Sequence, residues 1–170
     1  IGPDDNKVYL TFNCGYEQLT ADGKPITGII LDVLKEKNVK AVFFLALHYC
    51  EANPELVQRM IDEGHIVANH GARHKCMPKQ TIDGMVKEIM DLHNYVQEHF
   101  GYTMKYYRPA SGEYSEQVFA VAQSLGYTTL QFSFSYYDYD VNNPPSNSTA
   151  FDTMSSRLHN GAIYQLHTVV

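Results

Sequence analysis

The sequence predicts an α/β domain organised on a parallel sheet, open or closed into a barrel. Two observations predict it. Strand-like and helix-like segments alternate from end to end, the pattern of repeated βα units rather than of sandwiches or bundles. The polar residues best suited to chemistry, Asn13 and Cys14, His70, Arg108, Asp138 and His167, also stand at the C-terminal ends of separate strand-like runs. That edge is where parallel α/β folds assemble their sites.

Val8 to Phe12 is β-branched and aromatic and reads as a buried strand. Thr20 to Pro25 is a polar loop. Ile26 to Lys37 sets Ile29, Ile30, Val33 and Leu34 on one helical face. Ala41 to Leu45 is a second buried strand. Asn53-Pro54 opens a helix that ends at Gly64. His65 to Asn69 is a third strand, delivering His70. Thr81 to Phe100 is the longest helix, with Ile82, Met85, Ile89, Leu92 and Val96 along one stripe. A short strand at Lys105 to Arg108 is closed by Pro109. Ser115 to Leu125 is a helix capped by Gly126, and Thr128 to Ser135 a further strand. Asn142 to Ser148 is a loop, Thr149 to Leu158 a short helix, and Ala162 to His167 the last strand. No repeat, low-complexity tract or boundary interrupts the chain, so a single domain over residues 1–170 is expected.

The 170 residues suffice for one sizeable core, and a hydrophobic fraction of 44% is ordinary for a globular chain. No apolar run is long enough to cross a membrane. A net charge of −6 and an isoelectric point near 5.7 exclude a nucleic-acid footprint. Three cysteines, Cys14, Cys50 and Cys76, allow at most one bridge.

His70 and His74 lie four apart just after a strand, so a helical turn would set both imidazoles on one face. Imidazole and thiolate are ligands that zinc prefers, and Cys14 is the candidate third ligand; a buried apolar thiol is the other reading of Cys14. His70, His74, Cys76 and Cys14 together would instead close a structural zinc shell. Asn13 cannot take a proton at neutral pH, and losing a general base typically costs about 10²–10⁴-fold in rate. Glu17, four residues on, is a substitute base acting through water or else a solvated charge. Arg108 is suited to orient a carboxylate or a substrate oxygen, or to make a surface ion pair. Asp138 or Asp140 is placed to orient a histidine, and His167 to act as a general acid.

Taken in order, these segments resemble the polysaccharide deacetylases of the NodB-homology type, carbohydrate esterase family 4. Within it they look most like the subgroup that deacetylates N-acetylmuramic acid in making the muramic δ-lactam of spore cortex. The resemblance runs from about Lys7 to Val170. The first motif, Thr-Phe-Asp-Asp-Gly, stands as Thr11 to Gly15, continued by Tyr16 and Glu17. The His-x-x-x-His motif is His70 and His74. The Arg-x-Pro-x-Gly region is Arg108 to Gly112, with Ala110 in place of one Pro. The Asp-Trp motif is Asp138-Tyr139, and the Leu-x-His motif corresponds to Leu166-His167.

The resemblance implies a distorted (β/α) barrel of about seven parallel strands. The chain ends soon after His167, so the barrel is expected to be truncated at the C-terminus. It implies a divalent metal, commonly zinc, held by His70, His74 and, here, Cys14 where an aspartate often stands. It implies Asn13 at the base position, Arg108 supporting that position, Asp138 nearby and His167 protonating the leaving amine. Leu166, Tyr139 and Pro109 are the expected substrate contacts. The implied substrate is an N-acetylated polysaccharide or peptidoglycan; no nucleic-acid partner and a monomeric state are also expected. The implied location is the cell envelope or the exterior, with a signal peptide or anchor removed. Because Asn13 replaces the base, two functions compete: an impaired metal-dependent N-deacetylase, and a catalytically inactive deacetylase-like module that binds glycan or serves the fold.

Overall fold

The computed structural model of the chain describes residues 6–169. The domain expected over residues 1–170 therefore includes six positions, 1–5 and 170, outside the described residues. Among the described residues seven parallel strands form one curled sheet, ordered β5-β4-β3-β2-β1-β7-β6. They are β1 (Val8–Cys14), β2 (Val42–Leu45), β3 (Ile66–Asn69), β4 (Tyr106–Tyr107), β5 (Thr128–Thr129), β6 (Phe134–Ser135) and β7 (Ala162–His167). The helices are α1 (Ile26–Glu36), α2 (Leu47–Ala52), α3 (Pro54–Asp62), α4 (Ile82–Phe100), α5 (Glu116–Ser124) and α6 (Asn147–Ser155). This curled half-barrel is consistent with the distorted (β/α) barrel of about seven strands that the resemblance implies.

The curl follows from chain reach. β5 and β6 sit at opposite edges of the sheet yet are joined by residues 130–133 alone. Five residue steps span at most roughly 18 Å. A flat sheet of seven strands would hold its edges roughly 29 Å apart. The edges must therefore bend toward each other. The single strand predicted over Thr128 to Ser135 is corrected accordingly: it is two short strands, because the segment between them crosses the gap of the barrel. Leu130 and Phe132 of that crossing both meet Arg108 in the interior.

Helix α2 escapes periodicity, since six residues carry less than two turns of pattern. Helix α6 begins two residues earlier than expected because Ser146 caps it, accepting from the Thr149 N–H. Helix α4 is bounded as its sequence indicates, by a Thr81 cap and by Gly101 in the left-handed conformation. One face of the sheet packs on the helices through Phe12, Phe43, Val67 and Leu166, joined by Leu31, Met60 and Ile89. The other face encloses the barrel interior. No helix among the described residues is long and apolar enough to cross a membrane.

Candidate functional site

Strand alternation decides what each C-terminal edge presents. On β1, Thr11 and Asn13 face the interior while Phe12 and Cys14 face the helices. Arg108, at the end of β4, lies across that interior and is 1% exposed. Its Nε donates to the Leu130 carbonyl at 3.1 Å, and its Nη1 donates to Thr11 Oγ1 at 2.9 Å and to Asn13 Oδ1 at 3.1 Å. The guanidinium also stacks 4.1 Å over the Phe44 ring. Its Nη2 is buried without a hydrogen-bond partner among the described residues, and burial lowers its pKa to about 9. It carries its charge at neutral pH, and among the described residues no carboxylate lies against it.

His70 leaves β3 on a loop that must turn sharply. Gly71 has φ +88°, and a Cβ there would come within 3.3 Å of Glu88 Oε1. His74 itself takes φ 54°, a left-handed conformation unusual for a non-glycine residue. Glu88 of α4, 1% exposed, ties this loop down: its carboxylate accepts the Arg73 backbone N–H, and its own carbonyl accepts the Ala72 N–H at 2.9 Å. The His70 ring is buried, and its Nδ1 lies 2.8 Å from the Arg108 carbonyl. A carbonyl only accepts, so Nδ1 carries the hydrogen and Nε2 keeps its lone pair. Desolvation, more than any neighbour, lowers the His70 pKa to about 3. The rings of His70 and His74 meet edge-on, 5.2 Å between centroids.

On the opposite wall, His167 is the strand-register partner of Asn13. Its Nδ1 lies 2.6 Å from Asp138 Oδ1, and its backbone N–H donates to Asp138 Oδ2 at 2.8 Å. The carboxylate accepts from Nδ1–H, which leaves Nε2 as the free nitrogen of the neutral ring. Tyr139 packs edge-on to His167 at 5.0 Å and against Tyr137 at 4.4 Å.

These groups open on one cleft of about 1120 Å³. Asn13, His70, His74, Tyr139 and His167 line it; Arg108 and Asp138 stand behind Asn13 and His167 and hold them. Two expected substrate contacts are corrected. Leu166 sits beside Phe12 in the helix-facing core, and Gln165, one residue earlier and on the same face as His167, lines the cleft instead. Period-two alternation along β7 contained that signal. Pro109 is buried at the head of a 3-10 turn, and the cleft is met by Ser111 and Gly112. Sequence reasoning also missed Tyr16, His48 and Glu51. The last two come from α2, an element too short to announce itself.

Two further expectations are corrected. Glu17 is no substitute base: it accepts the Thr27 N–H at 3.0 Å and the Tyr49 hydroxyl at 2.8 Å, at the start of α1. Cys14 is 0% exposed in the core, on the face of β1 away from the cleft, and burial pushes its thiol pKa strongly up. Among the described residues no three of His, Cys, Asp and Glu come together so as to hold a metal ion. Neither the Cys14–His70–His74 site nor the closed shell with Cys76 is formed. A catalytic zinc takes three protein ligands and an open position. Two imidazoles converge here, and Asn13 turns its oxygen toward Arg108, so the residues present do not fit such a site.

Comparison with known proteins agrees with the fold. The sequence pattern described as polysaccharide deacetylase matches residues 1–130. The chain is 37% identical over 166 residues to the peptidoglycan-N-acetylmuramic acid deacetylase PdaA of Bacillus subtilis, covering 97% of this chain and 61% of that protein. It is 33% identical over 131 residues to a peptidoglycan-N-acetylglucosamine deacetylase of Bacillus cereus, covering 75% of this chain and 48% of the relative. The solved structure of Bacillus subtilis PdaA, a family 4 carbohydrate esterase, superposes with a TM-score of 0.89 at 36% identity, over 99% of this chain and 70% of that one. The chain thus spans about three fifths of the first of these relatives and about half of the second. By that match over most of its length and by its identity to PdaA, the chain belongs to the polysaccharide deacetylase family.

Proposed function

We propose that this chain recognises N-acetylated amino-sugar polymer of the peptidoglycan type and is an N-deacetylase impaired at proton abstraction. The observation that carries the reading is the pairing of His167 and Asn13 on adjacent strands: both open on one cleft, the first oriented by Asp138 and the second unable to act as a base. Hydrolysis requires water to add to the acyl carbon, the C–N bond to break, and a proton to reach the leaving nitrogen. Asn13 cannot accept the proton that the attacking water releases. It falls to His167 Nε2, which then delivers it to the amine as acetic acid departs. One residue thus does work usually divided between two, and the rate is expected to suffer by about 10²–10⁴-fold. Tyr139 at the rim offers an aromatic face to a pyranose ring.

Metal dependence belongs to this proposal only in reduced form. A divalent cation, zinc by its preference for imidazole, would find His70 and His74 and no third donor of the usual kind, so weak metal binding is expected. The names of the relatives support peptidoglycan as the polymer, with either muramic acid or glucosamine as the sugar, and the cell envelope or its exterior as the place of action. A second reading, glycan binding without turnover, is favoured by the amide of Asn13, which cannot act as a base. Acetate release from N-acetylated muramyl and glucosaminyl oligomers decides between them. Slow release that His167→Ala abolishes supports the enzyme; binding without release supports the module.

A further inference from the structure

We propose that Asn13 is a hydrogen-bond donor to the ligand, so that the cleft grips an acceptor oxygen, the acyl carbonyl of an N-acetyl group, at the position where a base would draw off a proton. The claim rests on the reading above for the identity of the ligand and on hydrogen-bond accounting for the donor.

Arg108 decides the orientation of the Asn13 amide. A guanidinium has only N–H groups to offer, so the Asn13 atom that faces it at 3.1 Å must be the carbonyl oxygen. The neighbouring group cannot take over that role. Thr11 Oγ1 donates its hydrogen to the Tyr164 carbonyl at 2.7 Å, and so also meets Arg108 only as an acceptor. Nη1 spends both its hydrogens on these two oxygens. With Oδ1 turned inward, the amide must turn Nδ2 toward the cleft, which Asn13 lines. No partner for Nδ2 is found among the described residues. Rotating the amide by half a turn would set N–H against N–H in the buried interior, where an unmatched charged donor is costly.

The polarity of the cleft is therefore inverted at this point. A carboxylate at position 13 would show an acceptor to a cation or to a water proton. Asn13 shows a donor, which repels a cation and suits a carbonyl or carboxylate oxygen. The same inversion accounts for the poor fit to a metal without invoking anything beyond two hydrogen bonds.

The test titrates the full chain, in excess chelator at neutral pH, with N-acetylated chitotetraose, its fully de-N-acetylated counterpart and sodium acetate. Binding is followed by calorimetry and by side-chain amide NMR. The expected wild-type result is preference for the acetylated tetramer, with the Asn13 side-chain amide protons shifting on binding. Asn13→Asp is expected to weaken the acetylated tetramer and acetate by about 10-fold or more, because two acceptors then face each other, and Asn13→Ala to weaken them less. Circular dichroism of both variants establishes that they fold. Asn13→Asp binding as tightly as wild type overturns the donor assignment while leaving the polymer reading intact. Asn13-dependent binding of acetate without binding of sugar keeps the donor and overturns the polymer reading. A wild-type chain that binds neither acetate nor acetylated sugar overturns both.

Discussion

Both oxygens of the Asp138 carboxylate are engaged by one residue, His167: Oδ1 by the ring Nδ1 at 2.6 Å and Oδ2 by the backbone N–H at 2.8 Å. Two attachments fix the ring's position as well as its tautomer. They leave Nε2 as the nitrogen that faces the cleft. Asp138→Asn removes the charge and frees the ring to change tautomer. Acetate release is expected to fall by about 10²-fold in kcat with KM nearly unchanged. A variant with wild-type kcat would remove His167 from the chemistry.

Arg108 is a buried cation with an unpartnered Nη2. Asn13→Asp supplies the missing carboxylate. The variant is expected to melt at a higher temperature at neutral pH, by an amount equivalent to about 1–3 kcal/mol, the worth of a hydrogen bond to a charged group. Thermal melts of the two chains measure it; a lower melting temperature would mean that the carboxylate does not pair with the guanidinium.

Two histidines are buried in neutral form. Desolvation pulls the His70 pKa to about 3 and also lowers that of His65, whose Nδ1 accepts the Ala41 N–H at 3.2 Å. Below an ordinary imidazole pKa of about 6.5 the unfolded chain binds protons that the folded chain refuses. Stability from these groups is thus fully present above about pH 6.5 and is lost as the pH falls toward the folded value. Melting temperatures are expected to drop steadily between pH 7 and pH 4. His70→Gln should flatten that slope, and a wild-type curve without slope would contradict the buried neutral assignment.

Cys14 packs in the core and holds no metal in this account. Cys14→Ala is expected to leave zinc affinity, measured by equilibrium dialysis, unchanged within about twofold while costing roughly 1–2 kcal/mol of stability in denaturant. His74→Ala should instead abolish what zinc binding there is. Loss of zinc binding in Cys14→Ala would restore the thiol as a ligand.

The strands and long helices were legible because their apolar periodicities are strong and their caps conventional. The edge carrying Asn13, His70, Arg108 and His167 was legible because parallel strands all deliver their C-terminal ends to one side. What misled was local. Cys14 adjoins Asn13 in sequence, but neighbours on a strand face opposite ways, and the same alternation exchanges Leu166 for Gln165. The run from Thr128 to Ser135 is uniformly strand-like in composition, and only closure of the barrel, a property of the whole sheet, divides it. The orientation of the Asn13 amide depends on Arg108, 95 positions away in the chain.

The central claim is that the cleft retains its acid, His167, and has lost its base at position 13. Acetate release from an N-acetylated glucosaminyl oligomer, compared between wild type and Asn13→Asp under the same added zinc, tests it most directly. The account predicts a rise of about 10²-fold or more in the variant. Equal rates, or a faster wild type, would contradict it.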